Sequence, residues 1–223
     1  METTNNSNKP FILRRPFKYC FFNATLIIIA INCLVFALCY IIPSLYGYVR
    51  YYGALNYFLI DHFHMYWQFT TYMFVHSGIS HLFFNMLALL IFGINIEKTI
   101  GSKEFLLFYL LCGTVGGVFS YFVYKFTGQY NVFLMGASGA IYSLLFAYAV
   151  LYPRSIVYVW GVIPIPSPLL VLIYTGIELF SEFRGGSNVA HLTHLFGFVA
   201  GGLYFIIRMG IHPIKVWKRA YGK

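Results

Sequence analysis

Residues 21–45 read FFNATLIIIAINCLVFALCYIIPSL and contain no Asp, Glu, Lys or Arg. A helix needs about 20 consecutive apolar residues to cross the hydrocarbon core of a bilayer. The stretch is long enough, and no small-residue cleavage site follows a short apolar core, so we interpret it as a retained span and not a signal peptide. The whole chain of 223 residues has the same character, with 60% hydrophobic and only 9% charged residues, where soluble domains have roughly 25% charged. The sequence therefore predicts an all-α integral membrane protein.

Five further apolar runs follow, and together they predict a six-transmembrane helix bundle. The six predicted spans are residues 21–45, 81–99, 105–125, 136–152, 167–183 and 190–209. The run Ile-Pro-Ile-Pro-Ser-Pro precedes the fifth span, and proline disfavours helix in the residue before it. We therefore expect residues 154–166 to lie at the membrane surface. The bundle, residues 21–209, forms one domain between a polar and basic N-terminal segment, 1–20, and a basic tail, 210–223.

The net charge is +9, but the basic residues lie between apolar runs and not on one polar face, so we predict no nucleic-acid partner. Their distribution instead indicates how the chain is oriented in the membrane. Six spans place twelve of the 15 Lys and Arg residues on one side and three, Arg50, Lys125 and Arg184, on the other. Loops on the cytoplasmic side carry the excess of Lys and Arg. We expect a multi-pass protein of the plasma membrane with both termini in the cytoplasm.

The segment 46–75 is rich in aromatic residues and is predicted to lie outside the helices. Its polar residues exclude a simple span; they are Arg50, Asn56, Asp61, His62 and His64. Irregular backbone cannot face lipid without partners, so we expect a membrane-associated first outer loop that packs on the bundle. The four cysteines lack CxxC spacing, and we interpret them as small apolar side chains and not as disulfides or metal ligands.

Polar residues are concentrated at the outer ends of three spans. These groups are Gly136-Ala137-Ser138-Gly139-Ala140, His81 to Asn85, and His191 to Gly197. Ionisable groups inside a membrane are costly and mark candidate functional sites. A serine hydroxyl becomes a nucleophile only when a base takes its proton, and histidine can do this. The small residues around Ser138 leave room for a substrate backbone and leave N–H groups at a helix start free to bind an oxyanion.

Each group also has an ordinary structural interpretation. Gly-x-Ser-Gly is common where membrane helices pack closely, and His81 with Asn85 could form a hydrogen-bonded pair between helices. The two histidines of the sixth span could bind a metal, but no carboxylate or cysteine accompanies them at ligand spacing, so we predict no metal and no cofactor. The three groups together are more specific than any one of them.

Together these residues resemble the rhomboid family of intramembrane serine proteases. The residues that carry the resemblance are Trp67-Gln68, His76, His81, Asn85, Glu97, Gly101, Gly136 to Gly139, Tyr142, His194, Gly197 and Gly201. Two positions depart from the family pattern: Gln68 stands where the family has arginine, and Thr193 where it has alanine. The resemblance implies the six-span fold.

The resemblance further implies a Ser–His dyad without a third acid. Ser138 would attack the scissile carbonyl and His194 would act as general base and then general acid, while Tyr142 would stack on the histidine. The side chains of His81 and Asn85, with the Ser138 N–H, would hold the oxyanion. The substrates would be transmembrane segments of other proteins, cleaved near their outer ends within the lipid bilayer. Two alternatives remain: an inactive rhomboid-like scaffold that binds membrane proteins, and a small transporter or channel.

The choice between His191 and His194 depends on the helix period. At about 100° per residue, positions three, four and seven along a helix share a face. For His194 these positions include Gly197 and Gly201, and such a glycine stripe lets two helix backbones approach closely. For His191 the same positions carry larger side chains. The sequence therefore predicts that His194 is the residue that reaches Ser138.

Overall fold

The computed structural model describes residues 14–159, 161–183 and 190–222. Part of the predicted N-terminal segment, 1–13, and the connection 184–189 with Arg184 lie outside the described residues. The chain is mainly helical. Its elements are α1 (Ala24–Ile41), α2 (Pro43–Gly53), α3 (Tyr57–Phe63), α4 (Gln68–Thr71), α5 (Ile79–Ala88), α6 (Ile94–Ile100), α7 (Ser102–Phe126), α8 (Ser138–Leu151), β1 (Ile156–Val159), β2 (Ile163–Pro166), α9 (Ser167–Phe183), α10 (Ala190–Ile207) and α11 (Pro213–Tyr221).

Three helices in the described part of the chain are long and apolar enough to cross a membrane. They are α1, α7 and the continuous run 79–100, in which a π-helical turn, Leu89–Gly93, joins α5 to α6. The helices α8, α9 and α10 are apolar but shorter. The fourth span begins at Ser138 and not at Gly136 because Gly136 has φ +112°, which is outside the helical region.

The segment 46–75 differs from the loop expected there. Most of it is helical: it contains the end of α2, then α3, α4 and a 3-10 turn, Tyr72–Phe74. Asn56 caps α3 by accepting a hydrogen bond from the Leu59 N–H at 3.0 Å, and its amide donates to the carbonyl of Tyr130 at 2.7 Å. Short helices leave many backbone groups at their ends without intrahelical partners, so side chains such as Asn56 supply the hydrogen bonds that polar backbone at membrane depth requires.

The helices α8 and α10 lie in close contact because glycines line their interface. A Cβ added at Gly197 would lie 2.2 Å from the carbonyl oxygen of Gly139, and one at Gly201 would lie 3.1 Å from that of Ser143. The glycine stripe expected on the sixth span therefore faces α8. Thr193, which stands where the family has alanine, is also buried there and packs on Gly139. The interface therefore accommodates the larger side chain.

The connection between α8 and α9 is a hairpin, in which β1 and β2 pair antiparallel from Ile156 opposite Pro166 to Val159 opposite Ile163. The predicted tail, 210–223, also has structure. Its helix α11 packs on α8, where the Trp217 indole donates to the carbonyl of Ala149 at 2.8 Å.

Candidate active site

Ser138 is the first residue of α8, at the end of the bundle where α5 and α10 also begin. The loop before it is held to the segment 46–75 by backbone hydrogen bonds. Leu134 and Leu55 exchange N–H to O=C bonds of 2.8 and 2.9 Å, and the Gly136 N–H donates to the carbonyl of Tyr72 at 3.0 Å. The positive φ of Gly136 then turns the chain into α8. These contacts place the serine on a rigid helix start.

His194 lies in α10, and its Nε2 is 2.9 Å from Ser138 Oγ. The ring of Tyr142, one turn below Ser138 on α8, stacks on the imidazole with centroids 4.1 Å apart and planes 7° apart. Ser138 and His194 are both partly buried. Two of the sequence-predicted site residues are thus within hydrogen-bonding distance, and a third restrains the orientation of the imidazole.

A carboxylate accompanies this pair, whereas the resemblance implied a dyad without a third acid. Glu178 of α9 is 4% exposed, and its Oε1 lies 2.9 Å from His194 Nδ1. The same oxygen accepts a hydrogen bond from the Tyr142 hydroxyl, and Oε2 contacts His191 Nδ1. The expectation was wrong because Glu178 is sixteen positions before His194 in the chain and reaches it only through the packing of α9 on α10. Its signal in the sequence is an acidic residue in the middle of an apolar span, whose second acidic residue, Glu182, lies at the end of that span.

Glu178, His191 and His194 also form a group that could hold a metal ion, since their ligand atoms lie within 4.8 Å of one another. This corrects the expectation that no carboxylate lies at ligand spacing from the two histidines. Carboxylate oxygen and imidazole nitrogen are ligands that suit Zn²⁺. The chemistry of the three side chains is therefore either that of a metal site or that of a hydrogen-bonded chain.

His81 of α5 lies against the glycine that precedes α8. A Cβ on Gly136 would be 2.5 Å from His81 Nε2, so only glycine leaves room for the imidazole. His81 Nδ1 is 2.9 Å from Ser77 Oγ. The ring of His76 packs edge-on against His81 with centroids 5.2 Å apart. Burial, followed by the nearby His81, lowers the pKa of His76 to about 4, so His76 is neutral at pH 7.

Asn85 lies one turn below His81 and is 6% exposed. Its Nδ2 donates to the carbonyl of His81 on its own helix at 2.7 Å. A primary amide has two N–H hydrogens, so one remains for another acceptor. The structure thus brings His81 to the start of α8, whereas the only hydrogen bond described for Asn85 is within α5.

Gln68, which departs from the family pattern, is fully buried in the segment 46–75. Its amide donates to the carbonyl of Tyr51 at 2.9 Å, and its Oε1 accepts from the Asn56 N–H at 3.1 Å. The neighbouring Trp67 donates through its indole N–H to the carbonyl of Tyr52 at 2.8 Å. Both side chains join α2 to the turns that follow it, so Gln68 holds this segment together.

Comparisons with known proteins show which proteins the chain is similar to. The family model of the Rhomboid domain matches residues 64–210. "Rhomboid-related protein 1" of Caenorhabditis elegans is 30% identical over 149 residues, which cover 62% of this chain and 38% of that protein. "RHOMBOID-like protein 12, mitochondrial" of Arabidopsis thaliana is 31% identical over 139 residues, 56% of this chain and 41% of that one. "Rhomboid protease GluP" of Bacillus subtilis is 39% identical over 79 residues, 35% of this chain and 14% of that one. The chain spans less than half the length of each of these relatives.

Proposed function

The chain belongs to the rhomboid family, and on that premise we propose that it is an intramembrane serine endopeptidase that hydrolyses peptide bonds in or near transmembrane segments of membrane proteins. The observation that carries the proposal is the 2.9 Å distance between Ser138 Oγ and His194 Nε2. Ser138 is the nucleophile and His194 the general base. An inactive scaffold would have no need for a serine and a histidine within hydrogen-bonding distance at a helix start.

The reaction follows from these positions. As Ser138 Oγ bonds to the scissile carbonyl carbon, its proton passes to His194 Nε2. The oxyanion accepts hydrogen bonds from the Ser138 N–H, His81 Nε2–H and the second N–H of the Asn85 amide. His194 then returns the proton to the leaving amine as the C–N bond breaks. A water molecule, deprotonated by His194, hydrolyses the acyl-enzyme and restores both side chains.

We place six helices across the membrane, with the serine below the outer surface. The helix α8 has 14 residues, which span about 21 Å at 1.5 Å per residue, whereas the hydrocarbon core is about 30 Å thick. If the C-terminal end of α8 lies at the cytoplasmic surface of the hydrocarbon core, Ser138 at its N-terminal end lies roughly 9 Å below the outer surface of that core. The site would open to the outer side, with both termini in the cytoplasm and residues 21–209 as the catalytic domain. Because one relative is named as mitochondrial, the plasma membrane expected from the sequence does not follow from the family.

The test is covalent labelling with a fluorophosphonate probe, together with cleavage of a single-span reporter in proteoliposomes. We expect the probe to label Ser138, and Ser138→Ala to lose both labelling and cleavage, by at least about a thousandfold. The variant should stay folded, because Ala137 and not Ser138 is the N-cap of α8, so that the loss of the hydroxyl removes no helix cap. Cleavage by Ser138→Ala at the wild-type rate would contradict the proposal. A transporter or scaffold would show neither labelling nor cleavage.

A further inference from the structure

Glu178 is a carboxylate buried in an apolar helix, where the cost of burying a charge must be offset by partners. Three side chains supply hydrogen bonds to it: the Tyr142 hydroxyl, His191 Nδ1 and His194 Nδ1. They come from α8 and α10, and each lies at hydrogen-bonding distance. The carboxylate therefore has a defined orientation, with Oε1 directed at His194 and Oε2 at His191.

This orientation controls the protonation of His194. A neutral imidazole carries one proton, and the ring nitrogen that holds it is set by the partner of the other nitrogen. A carboxylate can only accept a hydrogen bond, so His194 Nδ1 must carry the proton. Nε2 is then unprotonated and can accept the proton of Ser138, 2.9 Å away.

We propose that Glu178 is a positioning residue that completes Ser138 and His194 as a three-residue chain, with His191 and Tyr142 holding its carboxylate in place. This inference rests on the proposed function. Glu178 fixes the tautomer of His194 and stabilises the imidazolium that forms when Ser138 attacks. It gains no proton itself and touches no reacting atom. The resemblance to the family implied a dyad alone, so this is a property of the present chain.

A metal ion in the same place has opposite consequences. An ion bound to Nδ1 of His194 would leave the ring proton on Nε2, facing Ser138, and the imidazole could then not accept the serine proton. The site therefore serves as a base only when the group Glu178, His191 and His194 is free of metal. Chelators should leave cleavage unchanged, whereas added Zn²⁺ should inhibit it. Loss of cleavage on chelation, restored by Zn²⁺, would overturn the proposal.

The decisive variant is Glu178→Gln, which keeps the size of the side chain and removes its charge. We expect kcat for the single-span reporter to fall by about 10² to 10⁴, as when the acid of a serine triad is replaced by its amide, with KM within about twofold. Each rate is divided by the fraction of molecules that the fluorophosphonate probe labels at its end point, so unfolded protein is not counted. Glu178→Asp, which keeps a carboxylate, should recover part of the lost kcat.

A matched control is Glu104→Gln, at another buried carboxylate, 1% exposed in α7. Glu104 pairs with Arg208 at 2.8 Å and accepts a hydrogen bond of 2.5 Å from Tyr204. Its replacement should lower the thermal midpoint but leave kcat per labelled site within about twofold, because its described hydrogen-bond partners, Phe17, Tyr204 and Arg208, are not site residues. An equal fall in kcat in both Gln variants would show that Glu178 acts only through stability and would overturn the inference.

The histidine itself provides a test that needs no variant at Glu178. In ¹⁵N-histidine-labelled wild-type protein, NMR should show Nδ1 of His194 protonated and Nε2 unprotonated at neutral pH, with the peaks assigned by their loss in His194→Gln. The reverse tautomer would overturn the role of Glu178. If Glu178→Gln has the wild-type kcat and Ser138→Ala is inactive, the role of Glu178 is overturned and the serine protease proposal stands. Active Ser138→Ala would instead refute the proposed function.

Discussion

The two ends of the bundle each bury carboxylates, and their partners differ. At the end opposite Ser138, Glu97 accepts hydrogen bonds from the N–H groups of Ala24 and Thr25 at 2.6 and 2.9 Å, at the start of α1. Glu104 pairs there with Arg208. These donors keep their protons at any physiological pH, and an anion at a helix N-terminus is stabilised by the N–H groups and the helix dipole.

At the Ser138 end, the partners of Glu178 are two histidines and a tyrosine. An imidazole can gain and lose a proton near neutral pH, and His194 also faces a hydroxyl group. Burial of a carboxylate therefore does not by itself distinguish a structural role from a chemical one. The distinction lies in whether its partner can exchange a proton with a third group that a substrate can reach.

The largest expected difference in activity is between alanine variants of the two histidines that contact Glu178. His194→Ala should eliminate reporter cleavage and probe labelling, because the base is lost. His191→Ala should retain measurable turnover, since His191 Nδ1 contacts Oε2 of Glu178, whereas His194 contacts Oε1. Side-by-side kinetics on the two purified variants measure the difference. Active His194→Ala with inactive His191→Ala would reassign the base and break the comparison.

A change in packing at the same end should have nearly as large an effect. Leu at Gly201 has no space, because even its Cβ would lie 3.1 Å from the carbonyl oxygen of Ser143. We expect α10 to move away from α8 and Ser138 to lose contact with His194, so that cleavage falls at least about a hundredfold. Gly176→Leu is the matched control in α9, where a Cβ would meet nothing within 4 Å. Cleavage by Gly201→Leu at the control's rate would show that the close approach of α8 and α10 is unnecessary.

The smallest effect on turnover is expected at the opposite end. Glu97→Gln removes the charge that caps α1, and we expect it to lower stability by about 2 kcal/mol. Turnover per labelled site should change less than about twofold, because Glu97 contacts no site residue. Thermal unfolding and reporter cleavage of the same preparation check both parts. Strongly reduced turnover with unchanged stability would mean that the two ends are coupled and that the comparison is too simple.

The class of protein and the candidate residues can be predicted from local patterns in the sequence. Apolar runs of span length predict a membrane protein because lipid requires them, and the described helices coincide with the six runs to within a few residues. The helix of the fifth run, Ser167–Phe183, begins and ends at the residues predicted for that span. The period of the sixth helix placed Gly197 and Gly201 on the same stripe as His194, and this stripe does face α8.

The contacts between side chains of different helices depend on how the helices pack. The helix period gives the face on which a residue lies, but not the neighbouring helix or the depth at which two faces touch. The sequence therefore does not show that Glu178 is a partner of His194. It also does not show that the segment 46–75 is helical, because its apolar runs are short and interrupted by polar residues. A contact between residues far apart in the chain depends on the crossing of two helices, which no local pattern in the sequence specifies.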